Sequence, residues 1–474
     1  GPAGLTAAYY LRLKGYQITI FEALTELGGM LRVGIPDYRL PPEILAQEIN
    51  NILRLDIETR TGVRFGDDFN LKNLEQEGFS AVYLAIGAHG SIQLGIPGEM
   101  ENDGIIDAMQ FLRIINLGAR TSPGNDVVVI GGGNVAIDAA RTCLRLGCES
   151  VTLAYRRTRS EMPADTEEVE QAEEEGIRFE FLNIPSEIIG SRGQLEGLRC
   201  LKAKLISKEG QDRKYPVPIE GSEYTIGADV IICAIGQQVD AACMESVKGL
   251  EWTRRRTINV QMATMESSLE GIFAAGDAVT GPATVIEAIG GGKRAAESID
   301  RWLSGIPQPS MPPVPTRRKR VEYLEVPAIT KMTLKRPEMP LLNIDRRRTT
   351  FQQVELGHTE NMVREEARRC LRCDICLRCG KCVEVCRDRM KVDALQMGYF
   401  DFDHPVATDF RVTEDRCILC GACATNCPTG AMRMEDRGDE RVLSLCGTLL
   451  NRKKLLYCQN CGAVLGPERY LDFV

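Results

Sequence analysis

At 474 residues the chain is too long for one ordinary hydrophobic core and predicts roughly two to four domains. Its 43% hydrophobic and 26% charged residues fit a globular protein in water, and a formal charge of −8 spread over both signs gives no basis for a nucleic-acid partner. No apolar run reaches the roughly 18 to 20 residues of a bilayer-spanning helix, and no signal-peptide pattern opens the chain, so the expected location is cytoplasmic with no membrane span.

The first stretch, GPAGLTAAYYLRLKG, is a glycine turn entering a helix, and ITIFE after it is a strand ending in an acid. Together they form the second half of a dinucleotide fingerprint, GxGxxG. Gly1 lets the backbone approach a pyrophosphate, Gly4 lets helix and strand pack closely, and Glu22 accepts from a ribose hydroxyl. The first glycine and first strand lie before Gly1, so the natural polypeptide is expected to extend further toward its N-terminus. A second fingerprint, VVVIGGGNVAIDAA, is complete, with Gly131, Gly133 and Ala136 in a GxGxxA turn. The strand after it ends in Tyr155, Arg156 and Arg157 where an NAD-specific site would carry an acid. A guanidinium fork suits a 2′-phosphate, so NADP(H) is expected there. The acidic stretch TEEVEQAEEEG (166–176) reads as a solvated helix face. GIFAAGD ends in Gly276 and Asp277, suited to the ribityl and pyrophosphate of a flavin. The helix that follows starts near Ala283 to Val285 and would set its positive end beside the flavin pyrimidine edge.

These pieces bracket the second fingerprint, so the fold class is α/β: two Rossmann-like domains, an FAD domain (1–118 and 264–305) interrupted by an NADP domain (119–263). The Pro- and Arg-rich residues 306–365 read as an extended linker, closing with a short helix in TENMVREEARR. The three histidines, His89, His358 and His404, are isolated and read as structural.

Of the 18 cysteines only five (Cys143, Cys148, Cys200, Cys233, Cys243) precede residue 370, and that crowding points to metal rather than disulfides. CILCGACATNCP has the CxxCxxCxxxCP spacing of bacterial ferredoxins, and Cys376, Cys379, Cys382 and Cys386 repeat it with Arg387 in place of the proline. Two such runs make a two-cluster, ferredoxin-like α+β domain (366–435). The fourth cysteine of each run serves the other cluster: Cys376, Cys379, Cys382 and Cys427 hold one [4Fe–4S], and Cys417, Cys420, Cys423 and Cys386 hold the second. The tail (436–474) carries a CxxC at Cys458 and Cys461. With Cys370 and Cys373 it would make a four-thiolate site for Zn²⁺ or a further iron–sulfur cluster. A rival set uses Cys446 with Cys458 and Cys461, and a third reading leaves Cys370 and Cys373 as free thiols.

GPAGLTAAYYL, FEALTELGGMLRVGIPDYRLP, IGGGNVAIDAARTCLRLG, AYRRTRSEMPA, ICAIGQQVD and FAAGDAVTGPATVIEAIGGGKRAA together resemble the small subunit of NADPH-dependent glutamate synthase. The same module occurs in dihydropyrimidine dehydrogenase and in the large subunit of the bifurcating NADH-dependent ferredoxin:NADP oxidoreductase. The resemblance covers residues 1 to about 305. It implies FAD held by Gly1, Gly4, Glu22, Gly29, Leu31, Arg39, Gly276, Asp277 and Val285, and NADPH held by Gly131, Gly133, Asn134, Val135, Arg156 and Arg157. No side chain is expected to do the chemistry, since hydride passes between the cofactors. The expected function is an NADP(H)-linked flavin oxidoreductase subunit that passes electrons through two [4Fe–4S] clusters to ferredoxin or other redox subunits, in a hetero-oligomeric complex of the bifurcating transhydrogenase type. Two alternatives are an electron relay or scaffold without nucleotide turnover, and a glutamate synthase small subunit.

Overall fold

The computed structural model describes all residues except 208–213, 241, 245–246, 309–334, 369–375, 377–378, 398–409 and 447. The chain divides into two compact units: residues 1–313 with Leu341–Leu356, and residues 314–340 with 357–474.

In the first unit, helix α1 (Pro2–Leu13) leads to strand β1 (Thr19–Glu22), which pairs in parallel with β2 (Glu58–Thr61). Strand β3 (Val82–Leu84) belongs to a second sheet, where its parallel partner is the late strand Ile272–Ala274. The FAD-type domain is thus closed by chain from both ends of the unit. Helix Val285–Leu303 packs on α1 and carries the capping box Thr284–Glu287.

The NADP-type domain begins earlier than expected. Strand β4 (Ile105–Asp107) is an edge of a five-stranded parallel sheet with β5 (Asp126–Ile130), β6 (Ser150–Tyr155), Arg178–Phe181 and Val230–Cys233. Helix α2 (Ala108–Asn116) buries Phe111, Leu112 and Ile115 in the same core as Val127 and Val129. At the far side, Leu250 and Ile258 pack with Leu84 and Ala274 of the FAD-type domain. The boundaries at 118/119 and 263/264 are therefore corrected to about 104 and 240. Burial, not the position of the fingerprint, decides them. After exposed Asp126, VVVI is apolar throughout because both faces of β5 are covered, as in parallel sheets generally.

Helix α3 (Asn134–Arg145) follows the second fingerprint, and α4 (Thr166–Glu174) is the acidic helix. That helix is not a plain solvated face. Glu168 pairs with Arg39 and Arg141, and the fully buried Glu175 just beyond it accepts from both Arg141 and Arg145. The two guanidiniums stand 5.0 and 3.8 Å from the ring centroid of buried Tyr38.

Part of the expected linker is also structured. Leu341–Leu356 folds onto the first unit around helix α5 (Ile344–Thr349). The Val354 N–H donates to the Tyr38 carbonyl at 2.9 Å, buried Arg347 pairs with Glu174 at 2.9 Å, and Phe351 lies 3.9 Å beneath the Arg120 guanidinium. Scattered anchors hold this strap, so it shows no apolar period.

In the second unit, helix α6 (Glu360–Arg368) precedes the cysteine runs. Their short helices, α7 (Lys381–Glu384) and α8 (Ala422–Thr425), pack with an antiparallel strand pair and a four-stranded antiparallel sheet: β7 (Met432–Arg437), β8 (Glu440–Leu445), β9 (Thr448–Tyr457) and β10 (Val464–Pro467). The expected boundary at 435/436 falls inside β7. The tail is therefore the continuation of the ferredoxin-like core, which buries Met432, Leu443 and Leu445 beside the cysteines. Among the described residues no helix is long and apolar enough to cross a membrane.

Candidate cofactor sites

A cavity of about 1850 Å³ opens inside the first unit and runs between the facing edges of β1 and β3. All nine residues expected around FAD line it: Gly1, Gly4, Glu22, Gly29, Leu31, Arg39, Gly276, Asp277 and Val285. Asn134 and Val135 of the second fingerprint share the same wall, so both dinucleotide turns meet at one space. The floor is built by close backbone approach. Gly29 has φ +57°, and a Cβ on it would stand 2.7 Å from the Gly1 Cα. The chain is bare where a pyrophosphate needs N–H groups, and the cavity is a cradle any side chain at Gly29 would fill.

The polar groups in the wall are poised by burial. Glu22 ends β1 and accepts from the Leu24 N–H at 3.0 Å. Burial pushes the Asp277 carboxyl upward against the Ala283 N–H that favours its charge. His89, read from sequence as merely structural, lines the cavity within the field of Glu22, its imidazole held toward the neutral form chiefly by burial. Its position just past the C-terminal end of β3, where ligands meet parallel sheets, was the available signal.

Arg39 is placed in the wall, but its guanidinium is held by Asp138 at 2.8 Å and Glu168 at 3.0 Å. It ties the loop after Tyr38 to α3 and α4 rather than standing ready for a phosphate. Asp138, which sequence reading passed over, is 4% exposed, and burial outweighs Arg39 to push its carboxyl up to about 7.

The NADP(H) side has a second turn in which Asn134 Oδ1 accepts from the Asp165 N–H at 2.9 Å and Ala164 N–H donates to the Gly132 carbonyl at 3.2 Å. The two arginines expected there differ. Arg156 is exposed, whereas Arg157 is buried, its Nε donating to the Lys214 carbonyl at 3.1 Å. The shared fork is thus corrected: Arg156 faces solvent beyond the strand end and Arg157 serves the domain interior.

In the second unit, described cysteines of both runs crowd into one core. Burial first, then the neighbouring Cys376, Cys379 and Cys427, raise the Cys382 thiol to about 12. Cys423 is raised to about 12 by burial and then chiefly by Cys417 and Cys420, with Cys382 and Cys386 further off. Protonation is what lets thiols crowd this way without mutual repulsion, and a cluster's positive irons would instead favour the thiolates. N–H groups already point at sulfur: Ala394 to Cys386 at 3.3 Å and Met432 to Cys427 at 3.4 Å. Gly421, at φ +77°, turns the chain between Cys420 and Cys423, and a Cβ there would meet the Met434 methyl at 2.3 Å. Among the described residues no three His, Cys, Asp or Glu side chains are gathered closely enough to hold a single metal ion.

The four-thiolate tail site is only half visible. Cys458 and Cys461 form a knuckle in which Cys458 N–H donates to the Ala463 carbonyl and Gly462 N–H to the Cys458 carbonyl, both at 2.9 Å. Cys370 and Cys373 lie outside the described residues. The rival set is excluded, because Cys446 precedes β9 and Cys458 follows it. Ten residues of strand separate them by about 30 Å.

With this geometry in place, the comparisons with known proteins define the class. Residues 1–292 match the pyridine nucleotide-disulphide oxidoreductase family, and residues 410–433 match the 4Fe-4S binding domain. The chain belongs to the pyridine nucleotide-disulphide oxidoreductase family. It is an oxidoreductase whose cofactors are FAD, NADP(H) and [4Fe–4S] clusters. Among its relatives, it is 40% identical over 379 residues to the NADP(+)-dependent formate dehydrogenase subunit beta of Moorella thermoacetica, covering 79% of this chain and 53% of that one. It is 37% identical to the NADPH-Fe(3+) oxidoreductase subunit beta of Geobacter sulfurreducens, covering 79% and 60%. A putative glutamate synthase [NADPH] small chain of Cereibacter sphaeroides is 33% identical over 64% of this chain and 75% of its own. The chain thus spans between half and two thirds of the first two relatives. Among solved structures, FprA of Mycobacterium tuberculosis in complex with NADPH shares the fold, with a TM-score of 0.54 at 20% identity over 64% of this chain and 83% of FprA.

Proposed function

We propose that this chain is the NADP(H)-handling subunit of a multisubunit redox complex in the reducing cytoplasm, passing electrons between NADP(H) and a partner subunit or ferredoxin through its flavin and two clusters. The observation that carries the reading is the meeting of both fingerprints at one cavity in a chain that also holds two four-cysteine sets. When bound, the flavin supplies exchange between hydride and single electrons. The protein's part is to align and to tune. Gly1, Gly4 and Gly29 admit the pyrophosphate, Glu22 accepts from ribose, and the N-terminus of the helix beginning at Val285 faces the cavity with its positive end. Gly131, Gly133, Asn134 and Val135 position the nicotinamide dinucleotide, and Arg156 selects its 2′-phosphate. Cys376, Cys379, Cys382 and Cys427 hold one cluster, and Cys386, Cys417, Cys420 and Cys423 the other.

Two relatives that align with 79% of this chain are named as beta subunits, which supports a place in a larger assembly. The glutamate synthase small chain aligns with only 64%, which disfavours that role here. The complete second glycine turn disfavours a scaffold without turnover. The test is nucleotide selectivity with an artificial acceptor. Replacing Arg156→Gln should cost about 2–4 kcal/mol of NADPH-over-NADH discrimination in kcat/KM, the value of a charge-assisted phosphate contact. Arg157→Gln should cost markedly less. Equal wild-type use of both nucleotides would defeat the assignment.

A further inference from the structure

Strand β9 lies beyond both cysteine runs, yet one of its side chains enters the cluster region. Asn451 is 5% exposed. Its pairing with β8 is irregular: Leu443 faces Asn451 while Ser444 faces Leu449, leaving Leu450 as the extra residue of a bulge. A regular strand would turn alternate residues outward. Here the bulge lets Leu450 pack against the cysteine core and still leaves the adjacent Asn451 buried.

The amide's orientation follows from its oxygen. Asn451 Oδ1 accepts from the Arg452 N–H at 2.8 Å, which assigns Nδ2 to the other side. That nitrogen is buried and has no regular hydrogen-bond partner. The group it lies beside is the Cys417 thiol, which the Leu419 N–H also reaches. Neutral sulfur is a weak acceptor, whereas a cluster-bound thiolate is a good one.

We propose that the Asn451 side-chain amide donates to the Cys417 sulfur and raises the reduction potential of the [4Fe–4S] cluster that this thiolate holds. The proposal rests on the reading of Cys417 as a ligand. An N–H···S bond offsets negative charge on the cluster, and reduction adds such charge, so the donor stabilises the reduced state more than the oxidised one. Asn451 is a positioning and tuning residue: it touches a ligand, not the electron carrier's irons. The cluster held by Cys386, Cys417, Cys420 and Cys423 is thereby made easier to reduce than it would be without the amide.

The experiment is an EPR-monitored redox titration of the full chain with its clusters in place. Asn451→Asp keeps the shape and the acceptor for Arg452 while removing the donor, and Asn451→Leu removes both. Each should shift one cluster alone to lower potential, with its oxidised-to-reduced ratio at fixed potential rising three- to tenfold, the tenfold end being 59 mV for one electron. The second cluster's midpoint should not move, and iron content in the aspartate variant should stay complete. Unchanged midpoints in a fully loaded Asn451→Asp protein overturn the proposal. So does an equal loss of both clusters with unaltered potentials in what remains, which is the signature of a purely structural role. Cys417→Ala separates this failure from that of the underlying reading: if both cluster signals survive it unchanged, Cys417 is no ligand.

Discussion

Replacing Glu175→Gln tests the buried charge network that joins the Tyr38 loop to the nucleotide domain. The Glu175 carboxylate accepts four hydrogen bonds, from Arg141 at 3.1 and 2.7 Å and from Arg145 at 2.7 and 3.0 Å. All three side chains are fully buried, and burial alone would raise the Glu175 pKa, yet the two guanidiniums together hold it below the ordinary carboxylate range. Glutamine keeps the volume but removes the only charge shared by both arginines. Arg141 retains Glu168, whereas Arg145 is left with the Arg141 carbonyl and the Tyr38 face. Removing one partner of a buried pair costs about 3–5 kcal/mol. At roughly 2–4 °C per kcal/mol for a domain of this size, the calorimetric transition of the first unit should fall by about 6–20 °C. A joint replacement Glu175→Leu, Arg141→Met, Arg145→Met should recover much of the loss, because the desolvation of all three charges disappears with them. A fall of under about 2 °C for Glu175→Gln would refute the claim that this carboxylate is what makes two buried guanidiniums tolerable.

Two further outcomes follow from the cavity wall. Gly29→Ala should abolish flavin retention, read as the loss of visible flavin absorbance after gel filtration, because its Cβ would stand 2.7 Å from Gly1 on a backbone at φ +57°; a yellow, fully loaded variant would contradict the cradle. Asp138 titrates at about 7 in the fold against an ordinary 3.8, so the folded state binds the extra proton between those values. Its contribution to stability is therefore complete below pH 4 and lost as pH rises through 7, by about 4 kcal/mol in all. Thermal midpoints of wild type and Asp138→Asn should converge or cross over that window, and a pH-independent difference between them would count against the assignment.

What could be read in advance was what chemistry fixes by spacing. Glycine turns and CxxCxxCxxxC runs must hold their intervals to bind anything, so Gly1, Gly131 and Cys417 announce themselves in a bare string of letters. Residues that act through packing have no such interval. The strand Ile105–Asp107 carries no fingerprint and was assigned to the wrong domain, since only its pairing with Val230–Cys233 decides where it belongs. The acidic helix reads as solvated because one buried acid, Glu175, and one partly buried, Glu168, among many exposed ones leave little period to see. Arg156 and Arg157 could not be read apart, because SVTLAY is buried from Val151 to Tyr155 with no alternation to extend. Nor could the role of Asn451, because it depends on a bulge, and a bulge inverts the very alternation by which strands are read.

The strap at Leu341–Leu356 changes what it means to call this chain modular. Sequence from the first unit passes into the second after 313, returns at 341 and leaves again after 356. A chain ended at 306 would lose the donor to the Tyr38 carbonyl, the partner of Glu174 and the ring beneath Arg120, all of them far downstream of the last residue of the dinucleotide fold. Any fragment of the dinucleotide fold made for study must therefore carry residues 341–356 with it.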